Sequence, residues 1–413
     1  MINTFLQRYQ RFGVHLGLER INQLLASLGN PQNQVSIIHV AGTNGKGSVC
    51  AYLSSVLTQA GYRVGRYTSP HLVNWTERIC INQQPISDAA LLDTLQQVEA
   101  AISPNEASPT QFEVITAAAW LYFAQQQVDI AVIEVGLGGR LDATNVCDRP
   151  LVTVITSISL EHWQRLGPTV AEIAREKAGI LKPGCPAIVG QLPPEARTVV
   201  EQRIQALNCP VTWVKPATLK PQTEPLPTAT YQGIEYPLPL LGDIQLMNSA
   251  LAIATLQSLQ QQGWQISPDA IWHGMAKTRW LGRIQWTQWR NHQLLIDGAH
   301  NPAAAEVLRQ YVNTLSCQSV HWVMGMLSTK DHGDIFQALL QPGDQLYLVP
   351  VPDHSSADPQ HLADLAQHVC PNLAQVNCYP DLKQALEIAC SADHPLTVLC
   401  GSLYLLGYFF TLE

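Results

Sequence analysis

The feature that most restricts the fold is a series of short β-branched or apolar runs, continuous in the later two, separated by stretches with helical periodicity. Val35 to Val40, Arg63 to Tyr67, Val128 to Val135 and Leu151 to Ile158 are such runs, and Ser48 to Gly61 reads as a helix between the first two. A run without polar alternation is buried on both faces, which a parallel sheet covered by helices on each side permits. The expectation is a doubly wound α/β domain. At 413 residues the chain exceeds what one core ordinarily serves, so a second domain is expected. Prolines crowd Gly184 to Pro239 around short segments such as Val211 to Val214 and Thr228 to Tyr231, which reads as an irregular, partly β excursion of the first domain. Helical periodicity returns at Met247 to Leu259, and a tryptophan-rich stretch through Trp280, Trp286 and Trp289 marks the boundary. This places the first domain at residues 1–287 and the second at 288–413. In the latter, Gln293 to Ile296, Val320 to Met324, Gln345 to Val349 and Thr397 to Leu399 read as strands of a smaller, Rossmann-like α/β unit.

The first strand runs into Gly42-Thr43-Asn44-Gly45-Lys46-Gly47-Ser48 and then a helix. Glycines let the backbone turn tightly enough for successive N–H groups and a helix N-terminus to converge on phosphate oxygens. Lys46 adds a point charge and the Ser48 hydroxyl can ligate Mg²⁺. Gly47 separates the lysine from the hydroxyl residue, so the spacing departs from a regular P-loop, and an ordinary glycine-rich turn is the competing interpretation. The agreement of glycines, lysine, hydroxyl, preceding strand and following helix favours a P-loop-type, mainly parallel domain that binds ATP through Thr43, Asn44, Gly45, Lys46, Gly47 and Ser48.

Two later strands also end in polar groups. Ile130 to Val135 carries Glu134 at its carboxyl end, before the loop Gly136 to Asn145, and a carboxylate there can hold Mg²⁺. Asp142 in that loop can face a substrate, although glycine-rich loops after strands are also common in purely structural roles. Leu151 to Ile158 leads to Glu161 and His162, the latter a candidate metal ligand, while a histidine beside Trp163 is more often simply packed. Arg175-Glu176-Lys177 on a helix would ordinarily be a solvated face.

Composition narrows the partners. Lys and Arg number 24 against 32 Asp and Glu, a formal charge of −8, which disfavours nucleic acid and anionic membranes but leaves a small anionic substrate open. Ten cysteines are scattered without zinc spacing, Met1 to Gly13 lacks the sections of a signal peptide, and no apolar run approaches the ~20 residues of a membrane span. A reducing cytoplasm is the expected location.

Taken together, these stretches resemble folylpolyglutamate synthase and dihydrofolate synthase of the bacterial bifunctional type, within the Mur ligase superfamily. The resemblance runs over nearly the whole chain: Leu16 to Arg20, the phosphate loop, Ser69-Pro70-His71-Leu72 with Thr76-Glu77-Arg78, Glu134 to Asn145, and Arg175 to Ile180. It continues through Gly282-Arg283, Asp297 to Pro302, Gly325-Met326-Leu327 and Cys400-Gly401-Ser402. It implies an ATP-dependent ligase that adds L-glutamate to dihydropteroate or reduced folate through an acyl phosphate. Two Mg²⁺ ions would be held by Ser69, Glu134 and His162 with Ser48 assisting, and K⁺ is a further cation the family suggests. Lys177 would be a carbamylated lysine, Asn248 would contact adenine, Arg283 the phosphates and Asp297 the ribose, with His300 beside them. Val14, His15, Leu16, Thr110, Gln111, Phe112, Glu113, Leu141, Asp142 and Ala143 would meet the pterin. His15 stands where some bifunctional relatives have an acidic residue, and Glu161 where an aspartate usually precedes the metal histidine. A monomer is implied, with small-molecule substrates and neither nucleic acid nor membrane as partner. A monofunctional folylpolyglutamate synthase, a ligase of peptidoglycan precursors, or a nucleotide-dependent switch are the alternatives.

Overall fold

In the computed structural model the apolar runs become strands of two main sheets. Residues 1–10, 16–104, 107–221, 226–315, 319–390 and 396–412 are described. The chain forms two compact units, Met1–Pro239 with Gln245–Arg279, and Leu240–Ile244 with Trp280–Glu413.

The first unit contains β1 (Ser36–Ala41), β2 (Val64–Tyr67), β3 (Ile79–Ile81), β4 (Gln84–Pro85), β5 (Ile130–Glu134), β6 (Val152–Ile155), β7 (Ala187–Val189) and β8 (Val211–Trp213). Their order across the sheet is β4-β3-β2-β5-β1-β6-β7-β8. Pairing is parallel from β2 through β8, with β3 and β4 added at one edge by antiparallel pairing. The helix Lys46–Gln59 is buried from Gly47 to Leu57, as expected for a helix apolar nearly all round. From β1 the chain passes β5 to reach β2, whereas from β5 it passes β1 to reach β6. Right-handed crossovers running in opposite directions put their helices on opposite faces and open a crevice at the carboxyl ends of β5 and β1.

The proline-rich stretch is more regular than its composition suggests. β7, the helix Pro194–Ala206 and β8 continue the main sheet, and the excursion is confined to a small sheet of β9 (Thr218–Leu219), β10 (Thr228–Tyr231) and β11 (Ile234–Pro237). Pro194 occupies the first turn of its helix and Pro186 and Pro210 precede strands, positions where a missing N–H costs little.

The second unit holds β12 (Gln285–Trp289), β13 (His292–Ile296), β14 (His321–Met324), β15 (Gln345–Leu348), β16 (Gln375–Cys378) and β17 (Thr397–Cys400). The order is β12-β13-β17-β14-β15-β16, parallel except for the β12–β13 hairpin. That hairpin draws Trp280 to Trp289 into this unit, so the division falls at Arg279 and Trp280 and not after residue 287. In its interior Arg309 pairs with Asp344, whose carboxylate also accepts from Trp322 Nε1 at 2.9 Å and Gln341 N at 3.0 Å. Both partners are buried, so Asp344→Ala strands the guanidinium and should destabilise this unit by about 3–5 kcal/mol. Denaturant unfolding followed by tryptophan fluorescence measures it, and a loss under about 1 kcal/mol would contradict the assignment.

Among the described residues no helix is long and apolar enough to cross a membrane.

Candidate active site

The crevice is lined by the ends of four neighbouring strands. β1 delivers the phosphate loop, and Val40 is in register with Glu134 on β5. β2 ends at Tyr67, immediately before Thr68-Ser69, and the Ser69 N–H donates to Glu134 Oε2 at 3.2 Å. β6 is followed by Thr156 to His162.

The phosphate loop is braced by that last segment. Thr43 N–H donates to Ser157 O at 2.7 Å, and Asn44 O accepts from the hydroxyls of Thr156 at 2.6 Å and Ser157 at 3.1 Å. The Thr43 hydroxyl lies 3.1 Å from the Ser159 N–H that donates to it. Gly42 and Gly45 have positive φ, +152° and +89°, and both are pressed by neighbours. A Cβ on Gly42 would fall 1.9 Å from Thr156 Oγ1, and one on Gly45 would fall 2.4 Å from Asn248 Oδ1. The glycines are therefore required twice, for backbone conformation and for space. Gly47 and Ser48 begin the buried run of the following helix, and Gln245 Nε2 is 3.5 Å from Ser48 Oγ. Asn248 donates to Gln245 Oε1 at 3.1 Å, which places it against the loop.

Two lysines converge on one carbonyl. Lys46 Nζ donates to Gly42 O at 3.0 Å and Thr43 O at 2.9 Å, and Lys177 Nζ donates to Gly42 O at 2.8 Å. Lys177 is only 4% exposed, so it is not part of a solvated helix face. Gly139 makes this approach possible, because a Cβ there would sit 2.8 Å from Glu176 O, and Arg140 N–H donates to that same oxygen at 2.7 Å. Burial, and next the repulsion of Lys46, push the Lys177 amine down to about 7, with Glu161 and Asp142 opposing. An amine with that pKa is substantially neutral at physiological pH and can act as a nucleophile.

His162 is nearly half exposed, in a left-handed conformation, with Nε2 3.9 Å from Glu161 Oε1. Among the described residues no three His, Cys, Asp or Glu side chains gather as a metal cluster. The donors present, the Glu134 carboxylate and the Ser48 and Ser69 hydroxyls, are hard oxygens few in number, which fits Mg²⁺, an ion that keeps water and takes substrate phosphate.

The residues assigned to the pterin are brought together within the first unit. Gly17 N–H donates to Leu141 O at 3.3 Å, joining the segment beginning at Leu16 to the loop after β5. Phe112 lies over Gly136, where a Cβ would come within 2.4 Å of its ring. Thr110 and Glu113 form the capping box of the helix Gln111–Gln125, Arg20 Nε donates to Glu113 Oε2 at 3.1 Å, and Gln111 Nε2 donates to Leu6 O at 3.2 Å. These three have structural partners that spacing alone did not reveal. Asp142 is 3% exposed, with Oδ2 accepting from Leu137 N–H at 2.8 Å and Oδ1 accepting from Thr144. Ala143 is buried in the core beside it. Val14 and His15 lie outside the described residues.

In the second unit, Asp297 follows β13 and accepts from Ile284 N–H at 2.8 Å and Ala299 N–H at 2.7 Å. Burial raises its pKa, and the Arg283 guanidinium, the two N–H groups and His300 oppose the rise. Gly298 leaves room for Arg283, whose Nη1 would be 2.5 Å from a Cβ there. His300 Nδ1 is 2.7 Å from Gly298 O. Arg283, Asp297 and His300 thus form one group.

Residues 40–256 match the Mur ligase middle domain, and residues 282–412 match the dihydrofolate synthetase C-terminal domain. The chain is thereby an ATP-dependent ligase of the Mur type, and its similarity to individual proteins is extensive. It is 37% identical to the dihydrofolate synthetase of Saccharomyces cerevisiae over 416 residues, covering 95% of this chain and 97% of that one. It is 38% identical to the dihydrofolate synthase/folylpolyglutamate synthase of Bacillus subtilis over 346 residues, covering 80% of each. FolC of E. coli in complex with DHPP and ADP superposes with a TM-score of 0.86 and 32% identity, covering 100% of this chain and 97% of that one. The chain belongs to the dihydrofolate synthase/folylpolyglutamate synthase family, whose reaction is ATP-dependent glutamate ligation in folate metabolism.

Two buried polar residues escape motif reading. His39 and Thr144 are 1% and 0% exposed and touch each other at 2.9 Å. The only signal is a histidine within the otherwise apolar run Ile37 to Val40.

Proposed function

We propose that this ligase joins L-glutamate to the carboxylate of dihydropteroate and also of reduced folates, as a cytoplasmic monomer. The observation that carries the reading is the meeting of the phosphate loop, Glu134, Ser69 and buried Lys177 at the carboxyl ends of the central strands. The name of the Bacillus subtilis relative supports both activities, and the nine described cysteines, all unpaired, suit a reducing compartment.

Lys46 and the N–H groups of Thr43 to Ser48 bind the ATP phosphates, and Asn248 the adenine. Phe112 supplies an aromatic face for the pterin and Asp142 accepts from its amino group and a ring N–H, with Leu16, Thr110, Gln111, Glu113, Leu141 and Ala143 around it. Glu134, Ser69 and His162, with Ser48, are the residues that would hold Mg²⁺. When bound, that metal supplies Lewis-acid polarisation and a template for anionic reactants.

A carboxylate oxygen of the acceptor attacks the γ-phosphorus, giving an acyl phosphate and ADP. The glutamate amine then adds to the activated carbonyl, loses a proton and expels phosphate as the amide forms. Cationic Lys46 opposes the mutual repulsion of the anionic reactants, and positioning accounts for much of the remaining acceleration. Lys177, as its neutral amine, adds to CO₂ and releases one proton, so that an anionic carbamate replaces an ammonium beside Lys46; the lowered basicity and the shared Gly42 carbonyl support this.

Incubation with ATP, Mg²⁺ and glutamate, with each acceptor in turn, tests the proposal by product mass. Both dihydropteroate and tetrahydrofolate should gain glutamyl residues. Turnover with only one of them would leave a monofunctional enzyme, and phosphate release with only a peptidoglycan precursor would overturn the substrate class.

A further inference from the structure

We infer that His39 and Thr144 form a hydrogen-bond relay that orients Asp142 for the pterin, making both of them positioning residues for acceptor recognition. The inference rests on the proposed role of Asp142 as the pterin's acceptor.

Donor arithmetic fixes the direction of the relay. Ionised Asp142 has acceptors only, so the Thr144 hydroxyl, 2.5 Å from Oδ1, must donate its single proton there. Thr144 N–H donates to the same oxygen at 3.0 Å. With its proton committed, Thr144 Oγ1 can only accept from His39 Nε2 at 2.9 Å. His39 must then carry its proton on Nε2, and burial, which pushes its pKa down to about 3, keeps the ring neutral. The order is therefore His39 to Thr144 to Asp142.

The relay is anchored at both ends. His39 sits on β1 in register with Ile133 of β5 and Thr153 of β6, so its backbone is locked in the centre of the sheet. Asp142 is held from the other side by Leu137 N–H on Oδ2. Burial pushes the Asp142 carboxyl above the usual carboxylate range, and these donors oppose that rise and fix the carboxylate plane. A carboxylate so held offers its remaining lone pairs in fixed directions, which suits adjacent N–H donors on a planar ring. Loss of the relay should weaken the pterin contact and leave the ATP phosphates, bound at Thr43 to Ser48, untouched.

The test uses steady-state kinetics of the full chain with tetrahydrofolate and with dihydropteroate as acceptors, and thermal unfolding as a folding check. His39→Leu and the nearly isosteric Thr144→Val should each raise the acceptor KM on the order of tenfold, with the ATP KM within about twofold of wild type. His39→Gln, which restores a donor at the same reach, and Thr144→Ser should recover most of the loss. The double variant should be no worse than the poorer single one, because the two act in series. Parallel rises in both KM values, or no rescue by Gln and Ser, would overturn the relay. Asp142→Asn separates the two layers of argument. If it leaves acceptor KM unchanged, the pterin assignment fails and the relay with it; if it raises acceptor KM while Thr144→Val does not, only the relay fails.

Discussion

Replacing Glu134 by alanine should lower turnover by about three orders of magnitude while ATP affinity stays within about tenfold of wild type. The side chain lies at the carboxyl end of β5, 5% exposed, level with the strand that carries the phosphate loop. Its removal withdraws an anionic oxygen from the place where the proposed Mg²⁺ is to be held, yet leaves the loop's N–H groups and Lys46 for the nucleotide. Glu134→Gln is the sharper variant, because it keeps an oxygen able to accept from Ser69 N–H and removes only the charge. Single-turnover kinetics, ATP titration calorimetry and Mn²⁺ binding by paramagnetic resonance distinguish the effects. Normal turnover, or unaltered Mn²⁺ binding in both variants, would refute the metal assignment.

The second large effect is expected at Lys177. Lys177→Ala should be folded but slower by about a hundredfold or more, since the proposed carbamate, a buried anion near the reacting phosphates, could no longer form. Folding should survive because an amine buried beside Lys46 does not stabilise the fold: its pKa is lowered from 10.5 to about 7, so stability is lost as pH falls from the unfolded lysine value to about 7, and that penalty stays constant below it. The same shift sets the pH dependence of the modification. Above about pH 7 the amine is mainly neutral and the proposed addition to CO₂ should proceed, whereas below it the ammonium predominates and the addition should slow. Carbon NMR after exposure to labelled CO₂ should show a carbamate resonance that is absent from Lys177→Ala. A short exogenous carboxylate should restore part of the lost rate in the variant. Undiminished activity after exhaustive CO₂ removal at pH 8 would count against the carbamate.

Sequence and structure agree where one physical signal dominates. β1, β5, β6 and β14 were legible because buried parallel strands are continuous apolar runs, and the phosphate loop was legible because its glycines, lysine and hydroxyl have few other uses in that order. β8 and β16 were missed as sheet members because edge strands carry polar residues: Thr212 and Trp213 are only half-buried, and Cys378 is exposed. Trp280 to Thr287 fell on the other side of the expected boundary because the hairpin partner of a strand is a tertiary fact. Lys177 illustrates the same limit within the site. Its charged neighbours in sequence suggest solvent, whereas the phosphate loop and the Gly136 to Asn145 loop close over it in the fold. His39 and Thr144 are 105 positions apart, so no local pattern could pair them.

The hydroxyls of Thr156 and Ser157 hold the Asn44 carbonyl, and Ser157 O holds the Thr43 N–H. The anion cradle therefore has its shape from the protein's own contacts. Nucleotide capture should need little ordering of backbone, so the free energy of each phosphate contact goes into affinity and not into shaping the loop.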